Sequence, residues 1–142
     1  MARSLDQLDD LEVMALTVWG EARGEDETGR CAVAWVIRNR SLDPGRDWWG
    51  DTVREVCLKP WQFSVWNKND PNRTKMLSLS PRDPDLGAIR SLCRDVLDGT
   101  RPDPTGGCTH YCRHDTYPAW KIGRSPKMRH GRHEFYAIGP GA

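Results

Sequence analysis

The chain has 142 residues, 21 Lys and Arg against 20 Asp and Glu, and 37% hydrophobic residues at a mean hydropathy of -0.72. That length suits one domain over residues 1–142 with a core of its own. A net charge of +1 excludes a strong global preference for nucleic acid or another polyanion, and no apolar run approaches the ~20 residues of a membrane span, so no stable membrane association is expected.

From Leu8 onward, apolar residues fall at Leu8, Leu11, Met14, Ala15, Val18, Trp19 and Ala22, the spacing of one buried helix face. Gly24 is expected to close this helix as a left-handed cap. Glu21 follows Val18 by three residues and Met14 by seven, which places its carboxylate at the flank of the buried stripe. Burial and the negative end of the helix would both raise its pKa, as a general acid near neutral pH requires. A second helix is predicted from Glu27 to Arg40, apolar on most sides and therefore central, with a loop over Ser41 to Gly50. Thr52-Val53-Arg54-Glu55 matches a capping box opening a short helix to Leu58.

The run Trp61-Gln62-Phe63-Ser64-Val65-Trp66 sets amide and hydroxyl groups among aromatic rings, a composition that suits sugars or plain core packing. If it is extended, Gln62 and Ser64 share a side and form a cleft wall. Trp66 to Asp85 reads as irregular, with one turn over Arg73 to Leu79. Asp83-Pro84 then opens a helix carrying Ile89, Leu92, Cys93, Val96 and Leu97 and closed by Gly99. Thr100 to Gly107 is turn-rich, Cys108 to His114 alternates, and Gly131 to Ile138 reads as a terminal strand. Helices followed by a small β element give an α+β, mainly helical fold.

Five cysteines, an odd number without an N-terminal apolar signal, point to reduced thiols in the cytoplasm, with Cys31 and Cys93 as small core residues. Lys121, Arg124, Lys127, Arg129 and Arg132 lie between Thr116 and His133 without one acid. They form either a solvated basic loop or a contact for an anionic polymer. Cys108, His110, Cys112 and His114 offer zinc-ligand types, but same-face neighbours on a strand stand ~6.6 Å apart and cannot close a tetrahedron without a sharp bend. Thr109, His110 and Tyr111 are therefore expected to line a cleft, and no metal or other cofactor is expected. Glu21 itself can be read as a general acid or as a helix-end carboxylate paired with Arg23 or a distant arginine. Glu25 is a candidate second carboxylate or a solvated loop acid.

Together, Gly20-Glu21-Ala22-Arg23-Gly24-Glu25, Val33-Ala34 to Asn39-Arg40, Gln62-Phe63-Ser64, Thr109-His110-Tyr111 and Gly131-Arg132-His133-Glu134-Phe135-Tyr136 resemble the SleB/CwlJ-type cell wall hydrolase family over about residues 9–138. The segment Trp66 to Arg73 is similar to its phage and proteobacterial branch. The resemblance implies a lysozyme-like, lytic-transglycosylase-like catalytic domain acting on peptidoglycan between N-acetylmuramic acid and N-acetylglucosamine. It implies Glu21 as the catalytic acid, with Gln62, Phe63, Ser64, Thr109, His110 and Tyr111 binding substrate. Glutamate-only transglycosylation is the expected route. A hydrolytic muramidase would need a second carboxylate, for which Glu25, Asp70 and Asp115 are the candidates. Phage-type lysis with delivery through a holin is the expected setting. A zinc amidase using His110, Cys112, His114 and His133, or a non-enzymatic wall-binding module, are the alternatives.

Overall fold

The computed structural model describes residues 3–43, 50–59 and 62–138. Five helices and three strands lie within them: α1 (Asp10–Ala22), α2 (Glu27–Ser41), α3 (Val53–Leu58), α4 (Pro71–Ser78), α5 (Pro84–Asp98), β1 (His110–Arg113), β2 (Met128–His130) and β3 (His133–Tyr136). The mainly helical α+β reading holds. Trp61, Pro44 and Gly45 fall outside the described residues.

The helix starts follow from side-chain caps: Asp9, Asp26, Thr52, Asp70 and Asp83 each accept a backbone N–H of the first turn. Gly99 closes α5 in the left-handed conformation, as its sequence position predicts. α1 departs from expectation at both levels. Instead of one buried face, it buries every residue from Val13 to Val18, because α2, α3, α4 and α5 all pack against it. It also ends without a left-handed glycine: Gly24 is not among the positive-φ residues, and Arg23 stays right-handed. The Arg23 guanidinium instead donates to the carbonyls of Trp19 and Gly20 at 3.4 and 3.3 Å, so a cation satisfies the helix end.

The stretch expected to be irregular contains α4, with Asp70 as N-cap and Pro71 in the first turn. This helix seats Met76 in the core against Gly20. A Cβ at Gly20 would stand 2.6 Å from Met76 Sδ and 3.1 Å from Val65 Cγ1, so only glycine lets this wall approach the last turn of α1.

The sheet is antiparallel in the order β1-β3-β2, with Tyr111 opposite Phe135 and Cys112 opposite Glu134. β2 lies in the segment read as a basic loop, where three residues with one hydrophobe give little strand signal. Alternation sends Tyr111, His133 and Phe135 to one face and His110, Glu134 and Tyr136 to the other. Trp120 covers the second face, edge-on to His110 at 5.0 Å and to Tyr136 at 5.2 Å.

Cys31 and Cys93 are core residues, and all five cysteines are free thiols. Burial pushes the Cys57 thiol up to about 12, which leaves it inert. Among the described residues, no helix is long and apolar enough to cross a membrane.

Candidate active site

Glu21 occupies the last turn of α1 and faces the sheet across a cleft of about 290 Å³. Arg40, Gln62, Phe63, Ser64, Tyr111 and His133 line the same space. The Tyr111 hydroxyl donates to Glu21 Oε1 at 2.5 Å, leaving Oε2 for another partner. Burial is the largest influence on the Glu21 carboxyl and raises its pKa; the Tyr111 hydrogen bond opposes it, the charge of Asp70 reinforces it, and that of Arg40 lowers it. The direction agrees with the sequence expectation.

Tyr111 stays protonated, because burial and the Glu21 charge hold its phenol well above its ordinary value. Its ring meets His133 edge-on at 5.1 Å and lies 5.8 Å from Phe135, which fixes the hydroxyl on the carboxylate. Burial lowers the pKa of His133, so the imidazole on the cleft wall is neutral at pH 7.

Arg40 is placed by the sequence at the end of the second predicted helix and in a family-like motif, without a role in the site. It is 6% exposed, donates from Nε to the Thr109 carbonyl at 2.7 Å, reaches Gln62 Oε1 at 3.5 Å and lies 5.2 Å from the Phe63 ring centre. The signal was present: Arg40 follows Val36 and Ile37 by four and three residues, so it shares their buried face.

The other predicted site residues divide. Gln62, Phe63, Ser64 and Tyr111 come together around Glu21. The wall they form is turned, not extended, because Ser64–Trp66 is a 3-10 turn. Thr109 and His110 are not on the cleft. Thr109 donates to the Ile138 carbonyl at 2.8 Å and pairs with His110 Nδ1 at 3.0 Å, while His110 meets Trp120 edge-on on the far face. Adjacent strand residues cannot share a face, and Tyr111 takes the cleft side.

Glu25 is also engaged elsewhere. Its Oε1 accepts the Arg132 N–H at 3.0 Å and lies 3.7 Å from His133 Nδ1, pinning the β2–β3 turn to the α1–α2 loop. Gly131 takes φ +55°, the left-handed conformation that favours glycine, and a Cβ there would stand 2.2 Å from that oxygen and displace the Glu25 carboxylate. Asp70 caps α4, and Asp115 is an exposed partner of Arg113 at 3.2 Å. Glu21 is the one carboxylate among the described residues lining the cleft. Nor do the cysteines and histidines converge: Cys108 is buried, His114 is exposed and His133 faces opposite to His110. Among the described residues no group of three or more potential ligands could hold a metal ion.

A buried acid at the end of a central helix, facing a small antiparallel sheet across a cleft, defines a lysozyme-like catalytic domain. The Cell Wall Hydrolase family pattern matches residues 24–136, and the chain belongs to that family. The matched span begins just after Glu21. Spore cortex-lytic enzymes of Halalkalibacterium halodurans and Oceanobacillus iheyensis are 35% and 33% identical over 89% of the chain. The chain spans only 34% and 41% of their lengths. The crystal structure of the catalytic domain of the Bacillus cereus SleB protein matches with a TM-score of 0.70 at 30% identity, covering 89% of this chain and 88% of that one. The catalytic domain of a germination-specific lytic transglycosylase, SleB from Bacillus anthracis, gives 0.69 at 28% identity over 93% and 98%.

Proposed function

We propose that this domain cleaves the β-1,4 bond between N-acetylmuramic acid and N-acetylglucosamine in peptidoglycan as a lytic transglycosylase, with Glu21 as acid and then base. The observation that carries this reading is the one carboxyl among the described residues lining the cleft, held by Tyr111 with its pKa raised by burial. Protonated Glu21 gives its proton to the glycosidic oxygen as the bond to muramoyl C1 breaks. The resulting carboxylate, steadied by the Tyr111 hydroxyl, takes the proton of the muramoyl 6-hydroxyl as O6 bonds to C1. The products are a 1,6-anhydromuramoyl end and a new N-acetylglucosamine 4-hydroxyl. No water is consumed and Glu21 ends protonated, so one carboxyl suffices. A hydrolytic route would use a second carboxylate ~5–5.5 Å or ~6.5–9.5 Å from the first; Glu25, which holds the β2–β3 turn, is not among the described residues lining the cleft.

Within this reading Gln62, Ser64 and Arg40 supply polar contacts to sugar hydroxyls and acetamido groups, and Phe63 supplies an apolar face. Similarity of the Trp66 to Arg73 segment to the phage and proteobacterial branch supports phage-type lysis, with release from the host cytoplasm through a holin. The deciding experiment is mass spectrometry of peptidoglycan digested by the wild type and by Glu21→Gln. Anhydromuramoyl ends that vanish in the variant are the expected result. Reducing muramoyl ends would mean hydrolysis, free stem peptides an amidase, and full activity of the variant would remove Glu21 from the mechanism.

A further inference from the structure

Phe63 borders two cavities. Besides the Glu21 cleft, it lines a larger one of about 580 Å³ formed by the end of α3, the segment from residue 66 to 69, and α4. Leu58, Phe63 and Trp66 contribute apolar surface to it, and Lys59, Lys68 and Arg73 contribute cations. No carboxylate is among the described residues lining it. Arg73 is oriented by donating from Nη1 to the Trp66 carbonyl at 2.7 Å, and Trp66 is fixed through its indole N–H to Thr17 Oγ1 at 2.8 Å. Lys59 and Lys68 are exposed and meet no carboxylate among the described residues.

A neutral glycan has no use for three cations unaccompanied by an acid. In the other basic stretch of the chain, Lys121 and Arg129 meet a carboxylate, that of Glu134, and Lys127 donates to the Gly106 carbonyl at 3.0 Å. A ligand fitting the cavity beside Phe63 is small, anionic and partly apolar, and lies next to a sugar. The peptide that muramic acid carries on its lactyl group has this chemistry: alanine methyls for the rings and Leu58, backbone amides for Asn67 and Asn69, and free carboxylates for the cations.

We propose that this cavity seats the acidic stem peptide of the muramoyl residue bound beside it, making the domain selective for peptide-bearing over peptide-free glycan. The proposal rests on the glycosidase reading for its place next to the sugar. Two measurements test it separately from that reading. In the first, kcat/KM is compared on peptidoglycan strands with stem peptides and on strands stripped of them by an amidase, for the wild type and for the double variant Lys59→Ala, Lys68→Ala. Since exposed charge contacts are weak, the wild type should prefer peptide-bearing strands about threefold to tenfold through KM, with the ratio falling to about one in the variant. Equal rates on both strands in the wild type, or an undiminished ratio in the variant, would overturn the proposal.

In the second, free stem tripeptide is titrated while the Trp66 indole and the Asn67 and Asn69 side-chain amides are followed by NMR. Shifts that weaken with salt, and are lost with the carboxyl-amidated tripeptide, are expected. Identical shifts with the amidated form, or none with either, would overturn it. If no polymer is cleaved, the glycosidase reading falls and the titration still decides the cavity.

Discussion

Two carboxylates stand on opposite faces of the small sheet, Glu134 buried and Glu21 partly buried at the cleft, and in opposite electrostatic states. Glu21, on the Tyr111 face, has one hydrogen bond from a neutral phenol, and burial raises its pKa. Glu134, opposite Cys112 on the Trp120 face, accepts from Lys121 at 2.7 Å, from Arg129 and from the Tyr136 hydroxyl at 3.1 Å, and these partners bring it down to about 2. The difference lies in the partners. A carboxylate given cations becomes a structural anchor; one given a phenol and a cleft remains able to exchange a proton.

The most direct way to break the comparison is to neutralise each acid. Glu21→Gln is expected to reduce turnover by about 10² to 10⁴, the usual range for a general acid, in a peptidoglycan product assay. The same substitution should raise the melting temperature at pH 7. The folded protein binds the Glu21 proton more tightly than the unfolded chain, so that contribution is complete below the ordinary 4.5 and disappears as pH rises through the raised value. The gain over wild type should therefore shrink to nothing below about pH 4.5. An activity loss accompanied by a lower melting temperature at every pH would contradict the assignment.

Tyr111→Phe comes next. It removes the bond that favours the charged form of Glu21, so kcat is expected to fall about tenfold, the alkaline limb of the pH profile to move upward, and KM to change little. An unshifted limb would mean that the hydroxyl does not govern the proton.

Glu134→Gln is expected to act on stability alone, by about 1–3 kcal/mol in denaturant unfolding at pH 7, because its released cations can still reach water. Here the sign is reversed: the folded pKa is depressed, so the stabilisation is present above 4.5 and is lost as pH falls toward about 2. Wild type and variant should converge in acid. The smallest effect is expected for Glu25→Gln, which keeps an acceptor for the Arg132 N–H: about 0.5–1 kcal/mol with product chemistry unchanged. Loss of hydrolytic or anhydro products in that variant alone would return Glu25 to the reaction.

How far the sequence was legible depended on whether a residue's fate was set locally. The caps at Thr52 and Asp83, the closing Gly99 and the apolar period of α5 all act within a few residues, and the helices appear where those signals lie. Where distant elements decide, the reading failed in identifiable ways. Asp70-Pro71 is as good a start as Asp83-Pro84, but α4 has one buried anchor, Met76, too little for a periodic signal. β2 exists because β3 offers it an edge. Thr109, His110 and Tyr111 are adjacent in sequence, yet only Tyr111 reaches Glu21.

By itself, the sequence determined that a helix would end close after Glu21 and that this carboxylate would lie against apolar residues, whereas its company of an amide, a hydroxyl and aromatic rings was only what the family resemblance implied. The first two outcomes depend on 3.6-residue periodicity and short-range capping, which any chain with this pattern obeys. Only the tertiary structure decided that Glu21 would face a phenol while Glu134 met two cations, that Arg40 would enter the cleft, and that Glu25 would lock a turn. Charge state follows from which groups are within a few ångströms, and those groups come from segments up to 107 residues apart in the chain.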